Sequence, residues 1–529
     1  MTLIPLDIPA GFYRNGTDLE QAGRWRDGSL VRWRDNSLRP IGGWQERKAS
    51  FATNPVRGMH AWEALDSTAR LAGGSHSELI VMTGDGTLTD ITPSDLATGR
   101  EDAEVETGYG YGFYGRGFYG TPRQDLGNYS EATTWSIDNF GEDLVACHYD
   151  DGRILIWDTS AAPATASVLT NAPTNNLGLV VTEERFIFAL GAGGNPRKVQ
   201  WCDFEDNTLW APASTNQAGD IELTDSGQIM QGIRTRGQTL ILTDTSAHIA
   251  RYSGPPFVYN FERVGTSCGA ISRKAASDVD AGVFWMGQRG FFRFDGNAVQ
   301  EIKCDVFDYV FGDFNQAQQS KVWSFANGQF GEIWWFYCSG NSTEIDRYVA
   351  YDYKEGHWLI GNLSRTSGVQ RGVFRYPFMA SYFSRADIYE HEVGPIRDNK
   401  FGDYALEGVY PVFIFDPAAA TFATRGEDFE GDNFTPFAET GPISIGAGEQ
   451  IGKVTKLIPD EKTQGDVEVE FKTRFYPNAN ETVHGPFTPT NPTSVRFSGR
   501  QMRMKVEQKT STSWRVGNMR IDVKAGGKR

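Results

Sequence analysis

The sequence predicts an all-β fold, a β-propeller followed by a C-terminal β-sandwich, and three observations carry that reading. A short strand-turn-strand phrase recurs through most of the chain, long helical periodicity is nearly missing, and the composition favours turns and flat aromatic packing. The 529 residues include Gly 59, Phe 34, Tyr 20 and Trp 14 against Met 9. Aromatic and glycine enrichment of this kind belongs to short strands joined by tight turns.

The recurring phrase is four or five apolar residues, a turn of Gly, Asp or Asn, and a second strand rich in aromatics. Its copies are "ELIVMTGDGTLTDITP", "EDLVACHYDDGRILIWD", "ERFIFALGAGGNPRKVQWCD", "QTLILTDTSAHIARYSG", "AGVFWMGQRGFFRFDG" and "GEIWWFYCSGNSTEIDRYVAYDYKEGHWLIG", with a weaker seventh in "VFRYPFMASYFSRADIYEHE". Each is a hairpin by its own turn chemistry. A spacing of roughly 45 to 65 residues suits four-stranded propeller blades, each a central hairpin flanked by two weaker strands. One hairpin buries neither face alone, whereas a ring of blades buries both. A series of β-sandwiches is the alternative, because period alone does not prove closure.

Taken in chain order, residues 1–57 read as an arm and a hairpin ("LVRWRDNSLRPIGGW") that completes the propeller or docks on a partner, and 58–400 as the propeller. A short helix is expected near residue 315, capped by Asp313. Residues 401–435 read as a Gly-, Ala-, Thr- and acid-rich linker. Beyond it, "DVEVEFKTRFYP" and "SVRFSGRQMRMKVEQK" alternate polar and apolar, as half-exposed antiparallel strands do, so 436–529 is expected to be a sandwich with a basic tail.

Lys+Arg 51 against Asp+Glu 67 gives a net charge of −16. Such a surface repels a phosphate backbone. The tail reverses this balance, with roughly ten basic residues to two acidic from Arg496 onward, which suits side-by-side association of like subunits, a fixed acidic partner or a solvated face. The five cysteines, Cys147, Cys202, Cys268, Cys304 and Cys338, are widely spaced and odd in number, as reduced thiols from a cytosolic folding compartment are. No run of eighteen apolar residues occurs and the start lacks a basic and then apolar leader, so neither a membrane span nor a secretion signal is expected.

Motifs that point to chemistry lack their context. "GYGYGFYGRGFYGTPR", residues 108–123, contains G-x-G-x-x-G twice, but no apolar strand precedes it and Thr121-Pro122 follows where a helix should open. It reads as an aromatic loop. Gly265-Thr266-Ser267-Cys268-Gly269 has the letters of a nucleophile elbow, yet it falls between antiparallel hairpins and reads as a turn into the next blade. The seven histidines show no ligand spacing, and the acids Glu427, Asp428, Glu430 and Asp432 lack the order of a calcium loop. Asp143, Asp150, Asp151, Asp295 and Asp352 fall at turns, which turn chemistry explains without catalysis. No catalytic residue, cofactor or metal is assigned.

Several long strings resemble a family of tailed-bacteriophage structural proteins: "WSIDNFGEDLVAC", "RKVQWCDFEDNTLWAPASTNQAGDIEL", "GPPFVYNFERVGTSCGAISRKA", "FWMGQRGFFRFDG", "YVAYDYKEGHWLIG" and the opening "IPAGFYRNGTDLEQAGRWRDGSLVRWRDNSLRPIGGW". The family is similar to tail nozzle proteins of short-tailed phages. The resemblance implies a virion tail subunit assembled in the host cytoplasm, about six copies forming a ring below the head-to-tail adaptor. It also implies fibres or spikes at the side, and double-stranded DNA passing through without specific binding. An alternative is a host-recognition or fibre-attachment module that binds surface glycan through blade loops.

Under that resemblance, Glu101, Asp102, Glu104 and Glu106 are candidates to face the lumen, where acidic walls keep DNA mobile. Tyr109, Tyr111, Phe113, Tyr114, Phe118 and Tyr119 are candidate anchors on a neighbouring subunit, or part of a gate at the channel tip. Arg24, Trp25, Arg32, Trp33 and Arg34 are candidates for docking on the adaptor, since arginines interleaved with aromatics suit an interface.

Overall fold

The computed structural model of the chain describes residues 2–105, 129–224, 227–383, 385–396, 413–416, 421–424, 435–445, 450–460, 465–477 and 479–527. Each recurring hairpin lies within a four-stranded antiparallel sheet, and the described residues form seven such blades. Blade 1 is Gly58–Glu63, Ala69–Gly74, Leu79–Thr83 and Leu88–Asp90; blade 2 is Trp135–Phe140, Asp143–His148, Ile154–Trp157 and Ser167–Val168. Blade 3 runs Gly178–Val181, Ile187–Leu190, Lys198–Trp201 and Gly219–Glu222; blade 4 runs Ile229–Thr235, Gln238–Thr243, Ser246–Gly254 and Val258–Thr266. Blade 5 is Ala276–Val279, Gly282–Gly287, Gly290–Phe294 and Val299–Ile302, and blade 6 is Trp323–Asn327, Glu332–Tyr337, Arg347–Asp352 and His357–Asn362.

The weak seventh phrase supplies a blade of mixed origin. Ser367–Val369, Phe378–Tyr382 and Ala386–Pro395 take their outermost strand, Gly42–Ala52, from the N-terminal arm, with Ala386 opposite Ala52 and His391 opposite Trp44. A strand from the start of the chain therefore finishes the last sheet. Innermost strands of successive blades meet in order, blade 7 against blade 1 included, so the ring is closed.

Inter-blade cores explain why the phrase is so aromatic. The second and third strands of blades 2 to 6 are largely buried, and the apolar side chains of neighbouring blades interdigitate. Large flat rings fill these wedges at little rotamer cost, and tryptophan adds one donor to place. Trp135 of blade 2 donates to the Ser75 carbonyl of blade 1 (2.5 Å), and Trp335 of blade 6 to the Ala275 carbonyl at the start of blade 5 (2.8 Å). Near the axis the blades come close enough to exclude side chains. A Cβ on Gly58 would lie 2.7 Å from the Trp135 carbonyl oxygen, and one on Gly269 1.9 Å from that of Asp244.

The C-terminal strands form two further sheets that also borrow from the arm. One orders Thr2–Pro5, Arg520–Ala525, Gly452–Ile458 and Thr493–Gly499; the other joins Trp25–Ser29, Phe437–Thr440, Gln501–Gln508, Val467–Arg474 and Thr482–Phe487, with Ile443–Ser444 at the side. Their inner residues share one core, where Phe471 and Phe497 meet at 4.9 Å between ring centroids. That core continues into blades 5 and 6 through Trp25, Trp33 and Trp358. Between the arm's sheet strands, Val31–Arg34 pairs with Ser37–Pro40 across a turn with Asp35 and Asn36 at φ 51 and 59.

Two local expectations change. Residues 401–435 are not wholly irregular, because Phe413–Asp416 pairs with Thr421–Thr424. The helical segment near 315 divides into Phe307–Gly312 and a 3-10 turn Gln316–Lys321, whose cap is Asn315, accepting from the Ala317 N–H at 3.0 Å. Asp313 instead accepts from Arg347 (2.5 Å), a charged partner drawn from blade 6.

Candidate functional site at the propeller axis

Strand direction sorts the connections of a propeller into two ends. In an antiparallel blade, the turns joining strands one to two and three to four lie at one end. The turns joining strands two to three, and each blade to the next, lie at the other, here called the crossover end. Residues 91–134, between blades 1 and 2, are a long crossover connection, closed at its base by pairing of Glu104–Val105 with Tyr129–Ser130.

Both flanks of this base reach blades 5 and 6. Ala103 N–H donates to Gln318 Oε1 (2.9 Å), Ala132 N–H donates to Ser320 Oγ (3.1 Å), Asp102 pairs with Lys321, and Glu131 accepts from Arg273 (2.9 Å). A segment that starts between blades 1 and 2 and touches the far side of the ring lies across the mouth of the axial tunnel. Its closure is electrostatic. Arg57 holds Glu344 through two bonds of 2.8 and 2.6 Å, and Lys321 adds Glu344 at 3.6 Å and the Thr343 carbonyl at 2.6 Å.

Three buried cations thus meet Asp102, Glu131 and Glu344. The side chains of Arg57, Arg273 and Lys321 are 2%, 4% and 0% exposed, which demands this matching, since an unpaired charge there costs several kcal/mol. Burial alone would raise the Glu344 carboxyl, but Arg57 and Lys321 overturn that and hold it down at about 2. Arg273 also lies over the Tyr149 ring, 4.2 Å from its centroid.

Below this closure, side chains of blades 1, 4 and 5 and a backbone N–H of blade 3 surround one carboxylate. Asp138 of blade 2 lies 3.9 Å from His60 Nε2 of blade 1 and 3.8 Å from Arg234 of blade 4, and it accepts the Val181 N–H at 3.0 Å. His60 also bonds Asn139 at 2.9 Å, and burial lowers its affinity for a proton, with Asp138 opposing. Lys274 of blade 5 faces the same carboxylate, and burial pushes its amine down to about 8 despite Asp138.

That displacement fixes a pH dependence. Between about 8 and the ordinary lysine value of about 10.4, the unfolded chain holds a proton that the folded chain has released, so stability rises with pH across the window. Below about 8 the folded state carries the whole cost of the partly buried charge. Lys274→Met is therefore expected to raise the thermal midpoint at pH 7, with the gap over wild type closing as the pH approaches about 10. Thermal unfolding followed by circular dichroism at the two pH values checks both parts.

Residues singled out in the sequence take varied places. Asp102 is committed to Lys321, Glu101 is half-buried with its carbonyl beside Arg57, and Glu104 is exposed. Glu106 and the aromatic set Tyr109, Tyr111, Phe113, Tyr114, Phe118 and Tyr119 lie outside the described residues, as do Glu427, Asp428, Glu430 and Asp432. The docking group is largely turned inward. Trp25 and Trp33 are 6% and 2% exposed, and Arg32 at 3% is held by Glu332 (2.9 Å) and Glu392 (2.6 Å) and covers the Phe330 ring. Those three side chains are spent on joining the arm to blades 6 and 7. Arg24, over the Tyr13 ring, and Arg34, donating to the Phe330 carbonyl, remain half-exposed.

The other chemical candidates are structural in their contacts. Ser267 is an exposed turn residue at φ 56 that leaves the last strand of blade 4, and His391, one of the seven histidines, accepts from Arg365 in blade 7 (2.9 Å). Burial pushes the Cys147 and Cys202 thiols up to about 12, as suits inert core residues. Asp295 and Asp352 accept the backbone N–H groups of their own turns, and Asp150 and Asp151 pair with Arg100 and Arg153. Asp352, Glu355 and His357 place one ligand atom each within 4.8 Å of one another, but Glu355 already accepts the Asp35 N–H and Asp352 closes its turn.

The axial ion pairs have one local signal in the sequence. A cation stands one to three residues before the innermost strand in four blades: Arg57, Arg273, Lys321 and Arg365 before Gly58, Ala276, Trp323 and Ser367.

No family model matches the sequence, and no curated protein matches it. Among solved structures, the chain is similar to selenomethionine-substituted virginiamycin B lyase from Staphylococcus aureus, with TM-score 0.39 and 7% identity over 66% of this chain and 98% of the other. A chain of the mitotic checkpoint complex gives TM-score 0.38 and 10% identity over 65% and 96%. The dihydro-heme d1 dehydrogenase NirN gives 0.35 and 10% over 86% and 82%. Likenesses this distant assign no activity to the chain, and the propeller stands on its own strand pairing.

Proposed function

We propose that this chain is a structural subunit of a bacteriophage tail, one copy in a nozzle ring below the head-to-tail adaptor through which viral DNA passes during ejection, and that it performs no turnover. The observation that carries the reading is the filled axis. The mouth of the tunnel is occupied by a connection of the chain itself, and the polar groups there are consumed in balanced ion pairs instead of being turned toward a ligand. Such an arrangement makes the propeller a rigid block. The resemblance of several long strings to phage structural proteins, and a surface whose net charge of −16 repels a passing duplex, support the same reading.

Electron microscopy of virions labelled with antibody against the chain tests it. Label at the distal tail below the neck is expected. Label confined to the fibres would favour host recognition, and label absent from the particle would overturn the proposal.

A further inference from the structure

The sheet that contains Thr2–Pro5, Arg520–Ala525, Gly452–Ile458 and Thr493–Gly499 turns one face to the core and the other outward. Register places Lys453 opposite Lys524, Lys456 opposite Asp522, and Ile458 opposite Arg520 on the outward face. Arg496, between Ser494 and Ser498 on the edge strand, points the same way. Lys453, Lys456, Arg496, Arg520 and Lys524 are all exposed, and the ion pairs among the described residues include none of them. Asp522, the acid on this face, is 3% exposed and accepts from Thr455 (3.0 Å). Lysines directly opposite across a ladder repel. This face is a basic platform whose anions come from elsewhere, edged by Leu3 at 50% exposure.

The complementary surface is at the opposite end of the propeller from the closed mouth. There the turns of blades 1, 2, 3 and 5 carry the exposed acids Asp66, Asp85, Asp158, Glu183, Glu205 and Asp280. The bases on the same turns, Arg185 and Arg236, are already paired with Glu205 (3.1 Å) and Asp280 (3.4 Å). Apolar side chains stand among the acids: Leu65 at 87%, Phe257 at 80% and Phe204 at 43% exposure.

We infer that the basic sheet face docks on the acidic turn end of a second copy of this chain. The inference rests on the ring reading above and names its contact surfaces. Two features favour a copy of the chain over a nucleic acid. The acidic end offers the charge that the platform lacks, and Leu3 on one side with Leu65 and Phe257 on the other gain by mutual burial, which sugar-phosphate does not reward. Because the two patches are different surfaces, the contact is heterologous, and repetition generates a ring or an open filament.

The test uses full-length protein, with mass read by native mass spectrometry and sedimentation. Wild type is expected to assemble at low salt and to weaken as salt rises from about 0.05 to about 0.5 M. Lys453→Glu/Arg520→Glu/Lys524→Glu is expected to weaken self-association by at least about a hundredfold. Asp66→Lys/Asp158→Lys/Glu183→Lys should do the same, and an equimolar mixture of the two variants should form alternating assemblies. All six positions are exposed, and an unchanged thermal midpoint verifies folding; should a triple variant misfold, single Lys524→Glu and the wild-type salt titration carry the test. Wild type and variants that assemble alike overturn this inference and leave the ring reading standing. Wild type that stays monomeric throughout overturns both. Loss of duplex-DNA retention in the lysine and arginine variant with assembly intact overturns it in favour of a polyanion.

Discussion

Deleting residues 2–52 is expected to abolish cooperative folding, although the seven central hairpins all remain in the truncated chain. Gly42–Ala52 is the outer strand of blade 7, Thr2–Pro5 is the edge of one C-terminal sheet, and Trp25–Ser29 is the edge of the other. Three sheets would lose an edge strand at once, and Trp25, Leu30, Val31, Trp33 and Leu38 would leave the core that joins blade 6 to those sheets. Removing one buried tryptophan alone costs about 3–5 kcal/mol, a large part of a domain's stability of about 5–15 kcal/mol. Near-UV circular dichroism and limited proteolysis read the outcome. A permutant separates strand presence from chain order. Thr2 lies opposite Val523, so a short glycine-rich linker joins the old ends, and new ends opened at Asp85–Gly86 fall in an exposed turn. It is expected to fold.

The second large effect is expected at Glu344. Glu344→Ala leaves Arg57 and Lys321 buried with Asp102 as their remaining carboxylate, and breaking a buried pair in this way typically costs about 3–5 kcal/mol. The pH dependence identifies the cause. The carboxyl is held at about 2 in the folded chain against an ordinary value of 4.5. Its contribution is therefore complete above about 4.5 and is lost as pH falls toward about 2. The stability gap between wild type and variant should be full at pH 7 and should narrow across that window. A gap that stays constant down to the acid limit would assign the loss to packing. Chemical denaturation at a series of pH values reads it.

The sequence revealed those strands that are buried on both faces. "IWWFY" of blade 6 and "LVAC" of blade 2 are wholly apolar because a neighbouring blade covers each side. The innermost and outermost strands were harder to see. Ile229–Thr235 mixes Gln and Arg into its alternation because one edge faces the polar axis, and Ser167–Val168 is exposed at both residues. In blade 1 the second strand, "ARLAGG", is too small in side chain to announce itself, so the first copy of the phrase starts at the third strand. The arm reads as a completion of the propeller, but which of its strands closes the last blade has no local mark, since the pairing of Gly42–Ala52 depends on a register made across more than three hundred residues.

The same distance hid the chemistry. Arg32 and Trp33 look like surface recognition residues when read beside Asp35 and Asn36, and nothing nearby discloses that Glu332 and Glu392 await the guanidinium. Lys321 and Glu131 are likewise ordinary in their own segments. Their meaning appears once blades 2, 5 and 6 face one another around the axis. Charge patterning is more legible, because alternation along one strand sorts Arg520 and Lys524 to one face, while the register that sets Lys453 beside Lys524 belongs to the fold.

Cryo-electron microscopy of the purified full-length protein distinguishes a ring subunit from a solitary propeller. Closed rings of identical subunits around a central hole wide enough for a DNA duplex are expected, each subunit a seven-bladed propeller with its C-terminal sheets against the neighbouring copy. Solitary particles at every concentration and salt would contradict the ring.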